Sequence, residues 1–158
     1  MKTKLWKIIS GIAFATVLAS TTQISALAEP KEKQRGIEGV WHVTVTVVQC
    51  DTGKPILTGQ AVLMFSDGGF LTEIPDNHLH STGLGTWRHV EGRRYTATDY
   101  TFFFNADDTF AGTQVVSRDI DLSANADEYT AAATFNFFDP NNQLVRSGCA
   151  TATAARLG

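Results

Sequence analysis

Apolar and polar residues alternate along most of this chain with a period of two, the spacing of a half-buried β-strand. Trp41, Val43, Val45 and Val47 fall on one side of the first such run, and His42, Thr44, Thr46 and Val48 on the other. Turn chemistry then interrupts the pattern about every dozen residues, and no stretch carries a helical period. Strands are predicted over 39–50, 60–66, 69–75, 84–90, 93–104, 110–122, 128–138 and 143–154. Between them stand Asp51-Thr52-Gly53-Lys54-Pro55, Asp67-Gly68, the stretch 75–83, Glu91-Gly92, 105–109, 123–127 and Asp139-Pro140-Asn141-Asn142. Asp-Gly between two β-rich runs is a hairpin signal, and Asp-Pro-Asn-Asn is close behind. Eight consecutive strands with short links imply an all-β, antiparallel, up-and-down meander. In so short a chain, closure into an eight-stranded β-barrel is the way to remove its edges.

Register follows from the turns. Setting Phe104 opposite Phe110 places Phe102, Tyr100, Thr98 and Thr96 on one face with Gly112, Gln114, Val116 and Arg118. Setting Leu122 opposite Tyr129 adds Ala131, Ala133, Phe135 and Phe137, and the last turn adds Leu144, Arg146, Gly148 and Ala150. The fourth hairpin brings in Trp87 and Gly85. The other face of strand six reads Ala111, Thr113, Val115, Ser117, Asp119 and Asp121, a solvent pattern. The apolar face therefore lines the inside. Strand directions put 67–68, 91–92 and 123–127 at one end and the mostly longer links 51–59, 75–83, 105–109 and 139–142 at the other. The expected shape is a cup with its mouth on the loop-rich side.

The first 28 residues change the picture of where this barrel resides. Lys2, Lys4 and Lys7 precede an uncharged apolar stretch from Ile8 to Ala19, and Ala26-Leu27-Ala28 matches a signal-peptidase site. Residues 1–28 are expected to be a signal peptide, 29–37 a charged flexible lead-in and 38–158 the barrel domain, secreted or periplasmic. Cleavage would leave ten basic against sixteen acidic residues, a net charge of about −6. That charge argues against nucleic acid or an anionic membrane as the partner. Outward Thr44, Thr46, Thr113, Ser117, Asp119 and Asp121 also speak against an outer-membrane barrel. Cys50 and Cys149, an even pair in an oxidising compartment, are expected to form a disulfide on the outward face.

Candidate chemistry is sparse. G-x-S-x-G and phosphate-binding glycine loops are absent from the sequence. Asp107-Asp108 and Asp119/Asp121 read as solvated. His78 and His80, with Glu73 and Asp76 nearby, read as loop histidines rather than a metal site, and no cofactor is implied. The interior is the sharper clue. It carries Arg118 and Arg146 with Tyr100, Gln114, Thr96 and Thr98, and no acidic residue in the assigned strand faces. A buried guanidinium without a counter-charge is costly. Stacking on Trp41 or Trp87 would answer Arg118. Arg146, two residues past the last turn, would meet an incoming carboxylate bidentately.

Gly39-Val40-Trp41 at the start of strand one resembles the G-x-W signature of the lipocalin and wider calycin group, whose Trp plugs the closed end of the cup. The strand count and loop asymmetry are similar too. Gly148-Cys149-Ala150-Thr151-Ala152-Thr153 and Thr109-Phe110-Ala111-Gly112-Thr113-Gln114 resemble a family of uncharacterised secreted bacterial proteins. An Arg packs over the Trp in lipocalins, and Arg118 is the expected counterpart here. The resemblance implies a monomer or small homo-oligomer binding one small hydrophobic molecule. Arg146, Tyr100, Gln114, Phe102, Phe135 and Trp87 would line the site, with Trp41 and Arg118 structural. The alternative is an isomerase or cyclase like the allene oxide cyclase barrels, using Tyr100 and Arg146.

Overall fold

The structure, a computed structural model, describes residues 35–158. The signal peptide expected over 1–28 and most of the lead-in lie outside those residues. Eight strands follow one another: β1 (Gly39–Val48), β2 (Pro55–Ser66), β3 (Phe70–Pro75), β4 (Gly83–Glu91), β5 (Arg94–Phe104), β6 (Phe110–Leu122), β7 (Glu128–Phe138) and β8 (Leu144–Leu157). Every neighbour is antiparallel, and β8 pairs with β1 to close the barrel. This is the all-β, eight-stranded up-and-down barrel that the alternation predicts.

Two boundaries differ from expectation. β2 begins at Pro55 rather than 60, because the Gln49 amide donates to the Lys54 carbonyl (2.9 Å) and makes the first mouth connection a tight hairpin. β8 runs on to Leu157 because its last residues find partners at the start of β1, where Val40 pairs with Leu157.

The core sits at the closed end. Trp41, Leu63, Phe65, Leu71, Ile120, Leu122 and Tyr129 are buried there beneath Ile37. The Trp41 indole donates to the Ile37 carbonyl (2.9 Å) and packs against Tyr129 (4.9 Å between rings), so the plug expected of Trp41 is in place. Opposite these large rings β7 and β8 contribute Ala131, Ala152 and Ala154, small enough to let the wall close on them. The cation over the plug is Arg156, however, not Arg118. Its guanidinium carbon lies 4.2 Å from the Trp41 ring. It also donates to the carbonyls of Ala126 (2.7 Å), Glu38 (2.6 Å) and Gly36 (2.7 Å), fastening the chain entry and the β6–β7 turn to the plug.

The second correction concerns register. Phe104 does face Phe110, but Phe103 pairs with Gly112, so Ala111 is one residue more than β5 can match. Gly112 has φ 145°, and a Cβ there would meet the Phe138 carbonyl oxygen at 2.0 Å, so the bulge requires glycine. Beyond it every side chain of β5 is on the opposite face from the one expected. Tyr95, Ala97, Asp99, Thr101 and Phe103 point in, while Thr96, Thr98, Tyr100 and Phe102 point out. The inward faces expected for β1, for β6 from Gly112 on, for β7 and for Arg146 to Ala150 of β8 are those observed, whereas Phe110 and Leu144, expected on that face, lie beyond register shifts and face out.

Cys50 and Cys149 form a disulfide (Cα–Cα 5.2 Å). It lies on the outer surface beside the Val48–Cys149 pair, at the mouth end of the β1–β8 seam.

Candidate functional site

Burial divides the inward-facing residues in two. Those near the closed end are fully buried, whereas Val45, Val47, Phe103, Gln114, Val116, Phe135 and Phe137 are only partly so. The inner face of the mouth half is thus largely apolar and keeps some contact with solvent. Phe103 and Phe137 meet edge to face (5.0 Å). Gly148 makes room for Phe135, whose ring would lie 2.3 Å from any Cβ at that position. At the rim Arg146 is exposed, its guanidinium carbon 5.9 Å from the Phe135 ring centre and 5.8 Å from that of Phe137. The ion pairs among the described residues are made by Arg35, Arg94 and Arg118, so Arg146 has no carboxylate partner within them.

A charged cluster lies among the inward-facing side chains. Arg118 donates through Nη1 to Asp99 and through Nη2 to Glu73. Asp99 is 0 % exposed, and the Glu73 side chain retains 14 %. This narrow layer fits because β4 supplies glycine beside it: a Cβ on Gly83 would come 2.7 Å from Thr101 Oγ1 and 3.2 Å from Asp99 Oδ2. Two buried polar atoms have no partner among the described residues, Asp99 Oδ2 and the Tyr129 hydroxyl. Burial pushes the Tyr129 phenol up, so it stays protonated, within reach of the charges on Arg118 and Glu73.

The segment 76–82 closes one side of the mouth. The Ser81 amide donates to the Phe102 carbonyl (2.9 Å) and the Phe104 amide to that of Leu79 (2.8 Å). His80 lies on Phe103, 3.7 Å between ring centres. Desolvation lowers the His80 pKa, against the opposing pull of Glu73 and Asp76.

Of the residues expected to line a ligand site, Arg146, Gln114 and Phe135 come together inside the mouth half. Tyr100 and Phe102 do not join them: they face out, 56 % and 54 % exposed, because of the bulge at Ala111. Tyr100 and Arg146 therefore lie on opposite sides of the wall and form no catalytic pair. Trp87 faces in but belongs to the closed end, its indole donating to the Ser66 carbonyl (3.0 Å). Arg118 is answered by carboxylates rather than by a tryptophan. The residues missed are Glu73, Asp99, Thr101 and Phe103. A glycine inside a strand pattern signals a bulge, and Gly112 was the one clue that could have placed the three on β5.

The outer wall also has shallow depressions. One of ≈ 540 Å³ is bordered by Thr96, Ser117, Thr134 and Thr151 and also by the inward-facing Arg118 and Ala150. Another of ≈ 460 Å³ is bordered by Thr44, Thr130 and Thr153 among others. Compared with known proteins, the chain matches no family model and no curated sequence.

Proposed function

We propose that this protein is a secreted or periplasmic, lipocalin-like barrel that holds one small hydrophobic molecule in the mouth half of its interior, with a carboxylate head at Arg146. The observation that carries the reading is Arg146 itself. It is an exposed guanidinium without a carboxylate partner among the described residues, resting beside Phe135 and Phe137 at the lip of an apolar cup. An apolar tail would cover Val45, Val47, Phe103 and Phe137 while the head stays wet. The start at Gly39-Val40-Trp41, with an Arg over that Trp, supports kinship with lipocalins. The disulfide fits an oxidising, extracytoplasmic compartment.

Calorimetric titration of the oxidised protein with straight-chain carboxylates from hexanoate to palmitate tests the proposal. Saturable one-to-one binding is expected. Arg146→Gln should weaken it about tenfold, the worth of a charge-assisted hydrogen bond, and leave binding of the matching alcohol unchanged. No saturable binding anywhere in the series would overturn the reading.

A further inference from the structure

The outer wall is polar on one side of the barrel and apolar on the other. Around β1, β8, β7 and β6 the outward residues include Thr44, Thr46, Thr151, Thr153, Thr130 and Asp121, as expected of a sheet face in water. From β2 to β5 that rule is broken. Met64, Phe70, Ile74, Leu84, Tyr100 and Phe102 face out, each between 41 % and 64 % exposed. Register makes them one surface. Met64 pairs with Thr72, Thr72 with Leu84 and Leu84 with Tyr100, in a row across four strands. Phe70 and Ile74 flank Thr72 along β3, and Phe102 follows Tyr100 along β5. Side chains directly opposite one another on such a face stand about 5 Å apart, so these are contact neighbours. Charge is missing from the same surface. The outward positions between the six are Val62, Ser66, Thr72, Thr86 and Thr98, and the nearest charges along β3 and β4 are Asp76, past Pro75, and Arg88.

We propose that this face is the contact between two copies of the chain, joined about a two-fold axis with Leu84 near its centre. Its size suits a dimer. An aromatic side chain presents about 200 Å² and the aliphatic ones less, so the six leave roughly 600 Å² in water. The smaller residues between them bring the face near the ~800 Å² that each partner of a stable complex buries. Its lack of charge selects a second copy as the occupant. Without residues 1–28 the chain has ten basic against sixteen acidic residues, so two copies repel unless they meet where neither carries charge. A basic partner would be drawn to Asp119 and Asp121 instead. A two-fold contact also needs one patch that complements itself, which an uncharged apolar face does. Tyrosine and phenylalanine are enriched in such contacts. The bulge at Ala111 is what turns Tyr100 and Phe102 out of the barrel and onto this face.

Sedimentation velocity of the oxidised protein from about 1 to about 100 µM tests the proposal, since contacts of this size associate at micromolar concentration or below. Particles of two copies are expected at the upper end. Leu84→Glu and Tyr100→Glu, each of which would bury a charge in the contact, should weaken association at least about tenfold. Thr151→Glu, the same charge on the polar wall, should leave it unchanged. A single copy at every concentration overturns the proposal. So does a dimer that either face variant keeps, or one that Thr151→Glu loses equally. Radical footprinting of the unmodified protein decides the matter should a variant not fold. Met64 and Tyr100 should lose labelling as the particle doubles; unchanged labelling in a dimer places the contact elsewhere and overturns the assignment.

Discussion

Arg118 shows how much one side chain can demand of its surroundings. Two carboxylates and a guanidinium buried together are tolerable only while each charge keeps its partner. Arg118→Met should therefore cost about 3–5 kcal/mol, because it strands Asp99 and Glu73 inside the barrel. Glu73→Leu should cost less than about 1 kcal/mol, since the Arg118–Asp99 pair it leaves behind is neutral and intact. Urea denaturation midpoints measure both, and equal losses would contradict this division of roles. At this scale the sequence was half readable. The inward position of Arg118 follows from alternation, as do those of Gln114, Phe135 and Arg146. Its partners do not, because Asp99 changes face with a single extra residue on the neighbouring strand, and Glu73 stands close to a loop that drew attention to its histidines.

Among the elements, the deciding one is the bulge in β6. Strand periodicity is exact within a strand but is transmitted to the next only through the turn and ladder between them. Ala111 breaks that transmission, so the reading of β6, β7 and most of inward β8 survives while that of β5 inverts. The segment 76–82 is the other element with consequences of its own. His80 has its pKa lowered in the folded protein, mainly by desolvation, with Glu73 and Asp76 opposing. A histidine depressed in this way contributes stability above its unfolded value near 6.5, and the contribution is lost as pH falls through the folded value. Acidification from about neutral pH should therefore loosen this segment. Hydrogen exchange at the Ser81 and Phe104 amides, corrected for the intrinsic rate, should accelerate below about pH 6.5 relative to the barrel core. His80→Phe should remove the dependence; a flat profile in the unmodified protein would refute it.

The whole molecule was the most legible level. Eight alternating runs joined by turn residues leave closure as the economical solution, and closure fixes which face is inside, which end carries the longer links and where the two cysteines meet. What could not be read was the plug's cation. Arg156 lies beyond residue 154, the expected end of the last strand, and becomes relevant only because β8 continues along β1. The disulfide closes a 99-residue span, for which the chain-entropy argument gives at most about 4–5 kcal/mol.

The position of that clasp also decides how the protein responds to force. Gly39 and Leu157 lie together at the closed end, and Cys50 is tied to Cys149 at the other end of the same seam. Gripped just outside Gly39 and Leu157, the barrel is loaded like a zipper whose far end is riveted. Pulling should peel β1 and β8 away pair by pair and then stop, after about 70 Å of released chain, with β2 to β7 shielded behind a covalent bond. Reduction should let the same pull continue for roughly 350 Å more. Single-molecule extension in the two redox states measures both lengths. An oxidised chain that runs past the first stop would show that the rivet does not carry the load.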